Sequence, residues 1–137
     1  MSQQDKLSDE DFLRRFLACR LEPAEFDHRG HLRAAWLALR HHPVDEAVEH
    51  ACVGIARLAA KFGAHGKYNR TMSEALVRLM AHDGAADEAS LDGFLVAHPA
   101  FVHDISGLLA RHYSDERLRS PPARAAFLPP DRAPLPQ

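Results

Sequence analysis

Apolar positions recur every three to four residues along most of this chain, the pattern of helices that each bury one face. Phe12, Leu13, Phe16 and Leu17 form the first such face. Ser8 is placed to cap the helix that carries them, with Asp11 positioned to complete a capping box. Pro23 closes the link that follows. A second helix is predicted over about 27–41, where Pro43 stops it and opens a third that runs to residue 62 and ends at Gly63. After a glycine-rich turn at 63–66, a fourth covers roughly 69–82 and ends at Asp83-Gly84. A shorter helix begins at Ser90 and finishes before Pro99, another spans about 100–113, and Ser114-Asp115-Glu116-Arg117 reads as a fresh helical start. No stretch alternates as a strand would. The expected fold is therefore an all-α, single-domain bundle of five to six helices spanning the whole chain. Residues 1–7 are expected to be flexible, and the tail from 120 to 137 to lie extended over the bundle.

That tail is set apart by composition, since six of the nine prolines fall between Pro121 and Pro136. The rest looks like an ordinary globular chain of 137 residues, 46% hydrophobic and 26% charged. A net charge of −2, with arginines dispersed, lacks the basic footprint of a nucleic-acid binder. No apolar run reaches the roughly 18–20 residues that span a bilayer, and the first residues lack the order of a signal peptide. Cys19 and Cys52 show no CxxC spacing and read as two reduced helix thiols, with one structural disulfide as the alternative. Together these point to a cytoplasmic protein, with neither nucleic acid nor membrane as partner.

Against this background the chemical lead is the histidine pair at the head of the second helix. His28, Leu32, Ala35 and Leu39 fall on one stripe at 100° per residue, with His31 beside it. Both imidazoles are thus expected to turn toward the core, where each needs a hydrogen-bond partner, a metal or a catalytic role. Three readings stay open: hydrogen-bonded structural histidines, two ligands of a divalent metal such as zinc or iron, or a general acid/base in a metal-free pocket. Glu25 extends the spacing to E-x-x-H-x-x-H. Tyr68 and Asn69 lie at the head of the fourth helix. Asp104, Leu108 and His112 align at i, i+4, i+8 on the expected 100–113 helix, which places two more polar groups on an apolar face. Glu46 and His50, and Glu74 with Arg78, read instead as solvated pairs, the latter worth a few tenths of a kcal/mol. The segment 63–67 lacks the spacing of a phosphate-binding loop, and no serine has a hydrolase context.

Three segments together resemble a bacterial family of small proteins of uncharacterised activity. They are F-x-H-x-x-H-L-R-x-A-W at Phe26–Trp36, the Lys67-Tyr68-Asn69-Arg70-Thr71 segment, and the run from His112-Tyr113-Ser114 through Arg117-Leu118, Ala123-Arg124 and Phe127-Leu128 to Pro130-Asp131 and Pro134-Leu135-Pro136. The resemblance covers most of the chain from Phe26 onward. It implies that the proline-rich tail is a packed part of the domain. It also implies a third histidine where this chain carries Asn69, a poorer ligand for zinc or iron than imidazole.

The expectation is a polar pocket for a metal or small polar ligand. His28 and His31 would act as ligands or acid/base groups, Asp104 as an orienting carboxylate and Tyr68 as a proton donor. Arg33, Trp36, Lys67, Asn69 and His112 would complete the binding surface, with Lys67 or Arg33 neutralising an anion. The alternative is a non-catalytic helical interaction module or homodimer in which the histidines only tie helices together.

Overall fold

The longest apolar run of the sequence, residues 34–39, marks the helix around which the others assemble. In the structure, a computed structural model that describes residues 6–136, this helix is α2 (His28–His41). Every residue from Leu32 to Leu39 is buried, not one stripe of them. A helix apolar on all sides belongs in the centre of a bundle. Around it lie α1 (Asp9–Leu17), α3 (Val44–Lys61), α4 (Arg70–His82), α5 (Leu91–Ala97) and α6 (Ala100–His103), all in contact with α2. Three further short helices follow, α7 (Ile105–Ala110), α8 (Asp115–Leu118) and α9 (Pro121–Ala125). The described residues contain no strand, and five of the nine helices are seven residues or longer. The all-α bundle expected from the periodicity is what forms.

Local chemistry explains the helix starts. Ser8, Asp27, Asn69, Ser90, Ser114 and Ser120 each accept a backbone N–H of the first turn they precede. The Asp11 carboxylate pairs with Arg14 at 2.7 Å, on its own helix. Asp104 is another such cap, and it corrects the expected 100–113 helix. Its carboxylate accepts from Gly107 N, and its φ of −151° breaks the chain into α6 and α7. An aspartate offers the backbone an alternative to helix continuation, so the i, i+4, i+8 alignment with His112 does not exist.

Tight packing at the α1–α3 crossing depends on Gly54. A Cβ there would lie 2.2 Å from the Phe16 ring, so the ring rests directly on the α3 backbone. Cys19 lies outside the helices, past the end of α1, and takes the left-handed conformation (φ 57°) that glycine usually supplies. Both thiols are free.

The expected flexibility of residues 1–7 falls for 1–5 outside the described residues. Leu7, within them, is anchored, because its carbonyl accepts from Arg33 at 2.7 Å. The tail also departs from the expected extended path, since Pro121–Ala125 form a helix with proline at its start. Beyond it the chain is latched to the bundle. Tyr113 donates its hydroxyl to the Leu128 carbonyl at 2.7 Å, and Arg117 Nε donates to Pro129. The Ser114 hydroxyl and amide both donate to Asp131, which holds that carboxyl below the usual range. Thr71, fully buried on α4, shares its one hydroxyl hydrogen between the Ala123 and Ala126 carbonyls and accepts from Leu128 N. His112 belongs to the same latch: its Nδ1–H donates to the Ala133 carbonyl at 3.0 Å. Most of the C-terminal pattern noted in the sequence is thus a set of anchors for the tail.

Candidate functional site

The head of α2 is built by a short, dense piece of sequence. Phe26 precedes the cap Asp27, whose Oδ1 accepts from Gly30 N at 2.9 Å. A Cβ at residue 30 would sit 2.9 Å from the Glu25 carbonyl oxygen, so glycine is what lets the preceding turn close on the helix. His31 then occupies the position where a hydrophobic staple places its second apolar residue. Its ring stacks on Phe26, with centroids 4.0 Å apart and planes 28° from parallel. Its Nδ1 lies 2.9 Å from the Asp27 carbonyl oxygen. A carbonyl can only accept, so Nδ1 carries the proton and the lone pair of the neutral ring resides on Nε2.

His28, one turn earlier, behaves differently. Its Nε2–H donates to the Phe101 carbonyl at 2.8 Å and ties α2 to α6, while the ring is exposed. The expected inward turn of both imidazoles therefore needs correction. Only from Leu32 onward does α2 run through the core; its first turn emerges at the edge of the bundle. Glu25 is also committed elsewhere, accepting from Glu22 N and from Arg15 at 3.2 Å.

Beside these histidines opens a cleft of about 550 Å³. Ile55, Ala59 and Phe62 of α3 form one wall, Met72 and Leu76 of α4 another, and Ile105 and Leu109 of α7 close an end. Phe26, His28, His31, Lys67, Tyr68 and Asn69 also line it, so five of the expected site residues do share one space. Arg33, Trp36, Asp104 and His112 do not line it. Arg33 is buried against α1, where Asp9 and the Leu7 carbonyl hold it over the Phe12 ring. Trp36 is core, 2% exposed and covered by Arg40. Its indole Nε1 has no hydrogen-bond partner among the described residues, so its contribution is bulk. Asp104 is exposed and spent as a cap, and His112 is spent on the tail.

Two of the shared residues also have fixed duties. Asn69, where the resemblance implied a third imidazole, uses both ends of its amide: Oδ1 accepts from Met72 N and Nδ2 donates to the Leu118 carbonyl at 2.7 Å. Tyr68 interacts electrostatically with the Cys52 thiol. Burial, then the neighbouring thiol, raises the phenol above its ordinary value, and burial pushes Cys52 up to about 11. A phenol so held is a poor proton donor near neutral pH. Among the described residues no three or more His, Cys, Asp or Glu side chains are grouped to hold a metal ion. The residues that sequence reasoning passed over are the apolar walls on α3 and α7. Their signal was present in the periodicity, but nothing in one helix says which other helix leaves a gap beside it.

Burial is the main cause that lowers the His31 pKa from its ordinary 6.5; the Asp27 carbonyl opposes it and His28 adds to it. Below pH 6.5 the unfolded chain binds a proton at His31 that the folded chain still refuses, so stability falls as pH drops through the folded value. Urea unfolding of wild type and His31→Phe should show the wild type losing more stability on acidification; parallel losses would contradict the assignment.

Compared with known proteins, the chain matches no family model, no curated protein and no solved structure. Among the described residues no helix is long and apolar enough to cross a membrane.

Proposed function

We propose that this protein binds a small molecule in the cleft between the head of α2, α3, α4 and α7. The observation that carries the reading is the cleft itself: a volume of about 550 Å³ with mostly apolar walls and an imidazole of defined tautomer at its edge. Ligand sites of drug-sized molecules have roughly 300–1,000 Å³ and the same mixture of apolar wall and few polar groups. His31 supplies a neutral acceptor at Nε2, which also equips it as a general base toward a bound group, so turnover of the ligand is the second reading. His28 and Lys67 stand at the rim. A divalent metal such as zinc or iron finds less support, since Asn69 is fully engaged and no third donor of the usual kind joins the two histidines among the described residues.

A fluorescence titration with Nile red, an uncharged apolar dye, tests this. Ala59 is half-buried on the α3 wall, and Ala59→Trp fills the cleft from that side. Wild type should give a saturable one-to-one rise, and the variant should weaken it by roughly tenfold or more, about 1.4 kcal/mol. Dye binding that ignores the substitution would contradict the proposal. So would a dimer, seen by ultracentrifugation, that Ala59→Trp dissociates; that outcome would favour the interaction-module reading.

A further inference from the structure

The cleft's hydrogen-bonding inventory narrows its occupant, on the premise that the cleft is a ligand site. Three of the polar side chains that line it already donate to backbone carbonyls. His31 gives its Nδ1–H to the Asp27 carbonyl and His28 its Nε2–H to the Phe101 carbonyl. In the neutral rings this leaves an acceptor lone pair on each: Nε2 of His31, Nδ1 of His28. Asn69 donates to Leu118, Tyr68 interacts with the Cys52 thiol, the Asp27 carboxylate adds acceptors, and Ser73 adds one hydroxyl. One cationic group, Lys67, lines the cleft, and it is exposed. An anion entering here would meet two ring lone pairs and the Asp27 carboxylate, against two hydroxyls and the exposed Lys67, with no convergent set of donors to cradle it. A ligand that donates would find its partner preformed.

The walls are rich in rings. The stacked Phe26–His31 pair is joined in the lining by Phe62, Tyr68 and the thioether of Met72. Rings prefer other rings in offset or edge-on contact, and a methionine sulfur also favours a ring edge. Aliphatic chains gain no such directional contact.

We infer that the cleft takes a flat aromatic molecule whose ring O–H or N–H donates a hydrogen bond to Nε2 of His31. Fatty acids and small anions are the excluded classes.

Three probes of similar apolar bulk separate the possibilities: 2-naphthol, its methyl ether 2-methoxynaphthalene, and decanoate, each titrated calorimetrically into the whole chain near neutral pH. Wild type should bind 2-naphthol roughly fivefold to tenfold more tightly than the ether, the difference one hydrogen bond makes. Decanoate should be the weakest. His31→Phe keeps the ring stacked on Phe26 and removes the acceptor, so it should bring 2-naphthol down to the ether while leaving the ether unchanged. The wild-type comparison stands alone if that variant does not fold. Equal affinity for 2-naphthol and its ether, or tightest binding of decanoate, would overturn the aromatic-donor inference and leave the cleft as a ligand site. No binding of any probe, together with no saturable Nile red binding, would overturn both.

Discussion

Replacing Glu74 by alanine is expected to cost about 3 kcal/mol of unfolding free energy, an order of magnitude more than an exposed i, i+4 pair is worth. The sequence places Glu74 and Arg78 on what looks like a solvated face of α4. In the structure Glu74 is 6% exposed. Its Oε1 accepts from Arg70 at 2.9 and 3.1 Å and its Oε2 from Arg78 at 3.0 Å. The two guanidiniums reach on to Glu49 and Asp45 of α3, so one buried carboxylate joins four other charged groups across the α3–α4 contact. Removing it leaves two cations facing each other around a vacated site. Full loss is moderated because both arginines keep their α3 partners and some access to water. Glu74→Gln, of similar shape, should cost less than Glu74→Ala. Urea denaturation measures both; a change of only a few tenths of a kcal/mol for Glu74→Ala would mean the network contributes as a surface pair does.

The second large effect is expected at Thr71→Val, about 2–3 kcal/mol, from a substitution that preserves shape. The hydroxyl serves two carbonyls and the Leu128 amide, all in the latch that holds the tail. Valine fills the space and strands those groups, each costing about 1–3 kcal/mol where water cannot reach it, with partial rehydration as the tail loosens. Thr71→Ser, which keeps the hydroxyl, should lose about 1 kcal/mol or less for its missing methyl. Amide exchange at Leu128 should accelerate in the valine variant and stay slow in the serine variant. Unchanged exchange in Thr71→Val would show that the tail is held by other contacts.

These two residues also show where a sequence is readable and where it stops. Helix starts were legible because a capping residue acts within three positions of itself: Ser8, Asp27 and Ser90 needed no tertiary information. The break at Asp104 was legible in principle by the same chemistry, but the apolar run through Phe101, Ile105 and Leu108 argued for continuity, and periodicity alone cannot choose between a cap and an interior polar residue. The burial of Glu74 was not legible, because it follows from contacts with α3 and the tail, far away in sequence. The histidine pair was half legible. Phe26-Asp27-His28-Arg29-Gly30-His31 is, read with the structure, a helix-start device with cap, glycine and staple, and a resemblance in this segment carries that architecture whatever the chemistry. What the device leaves over is one nitrogen of each ring. Arg33 and Trp36, expected at the ligand, were drawn into the core because α2 is surrounded on every side.

Ligand recognition in the cleft depends, as proposed, on His31 being a neutral imidazole protonated at Nδ1, with Nε2 available to a bound donor. Long-range proton–nitrogen NMR of the histidine rings near neutral pH, recorded before and after addition of 2-naphthol, observes this directly. The prediction is an unprotonated Nε2 at His31 in the free protein whose resonance moves on addition of the ligand, while His112, bound to the tail, stays where it was. A His31 ring that is doubly protonated or carries its proton on Nε2, or a saturating ligand that leaves the His31 resonances unmoved, would contradict it.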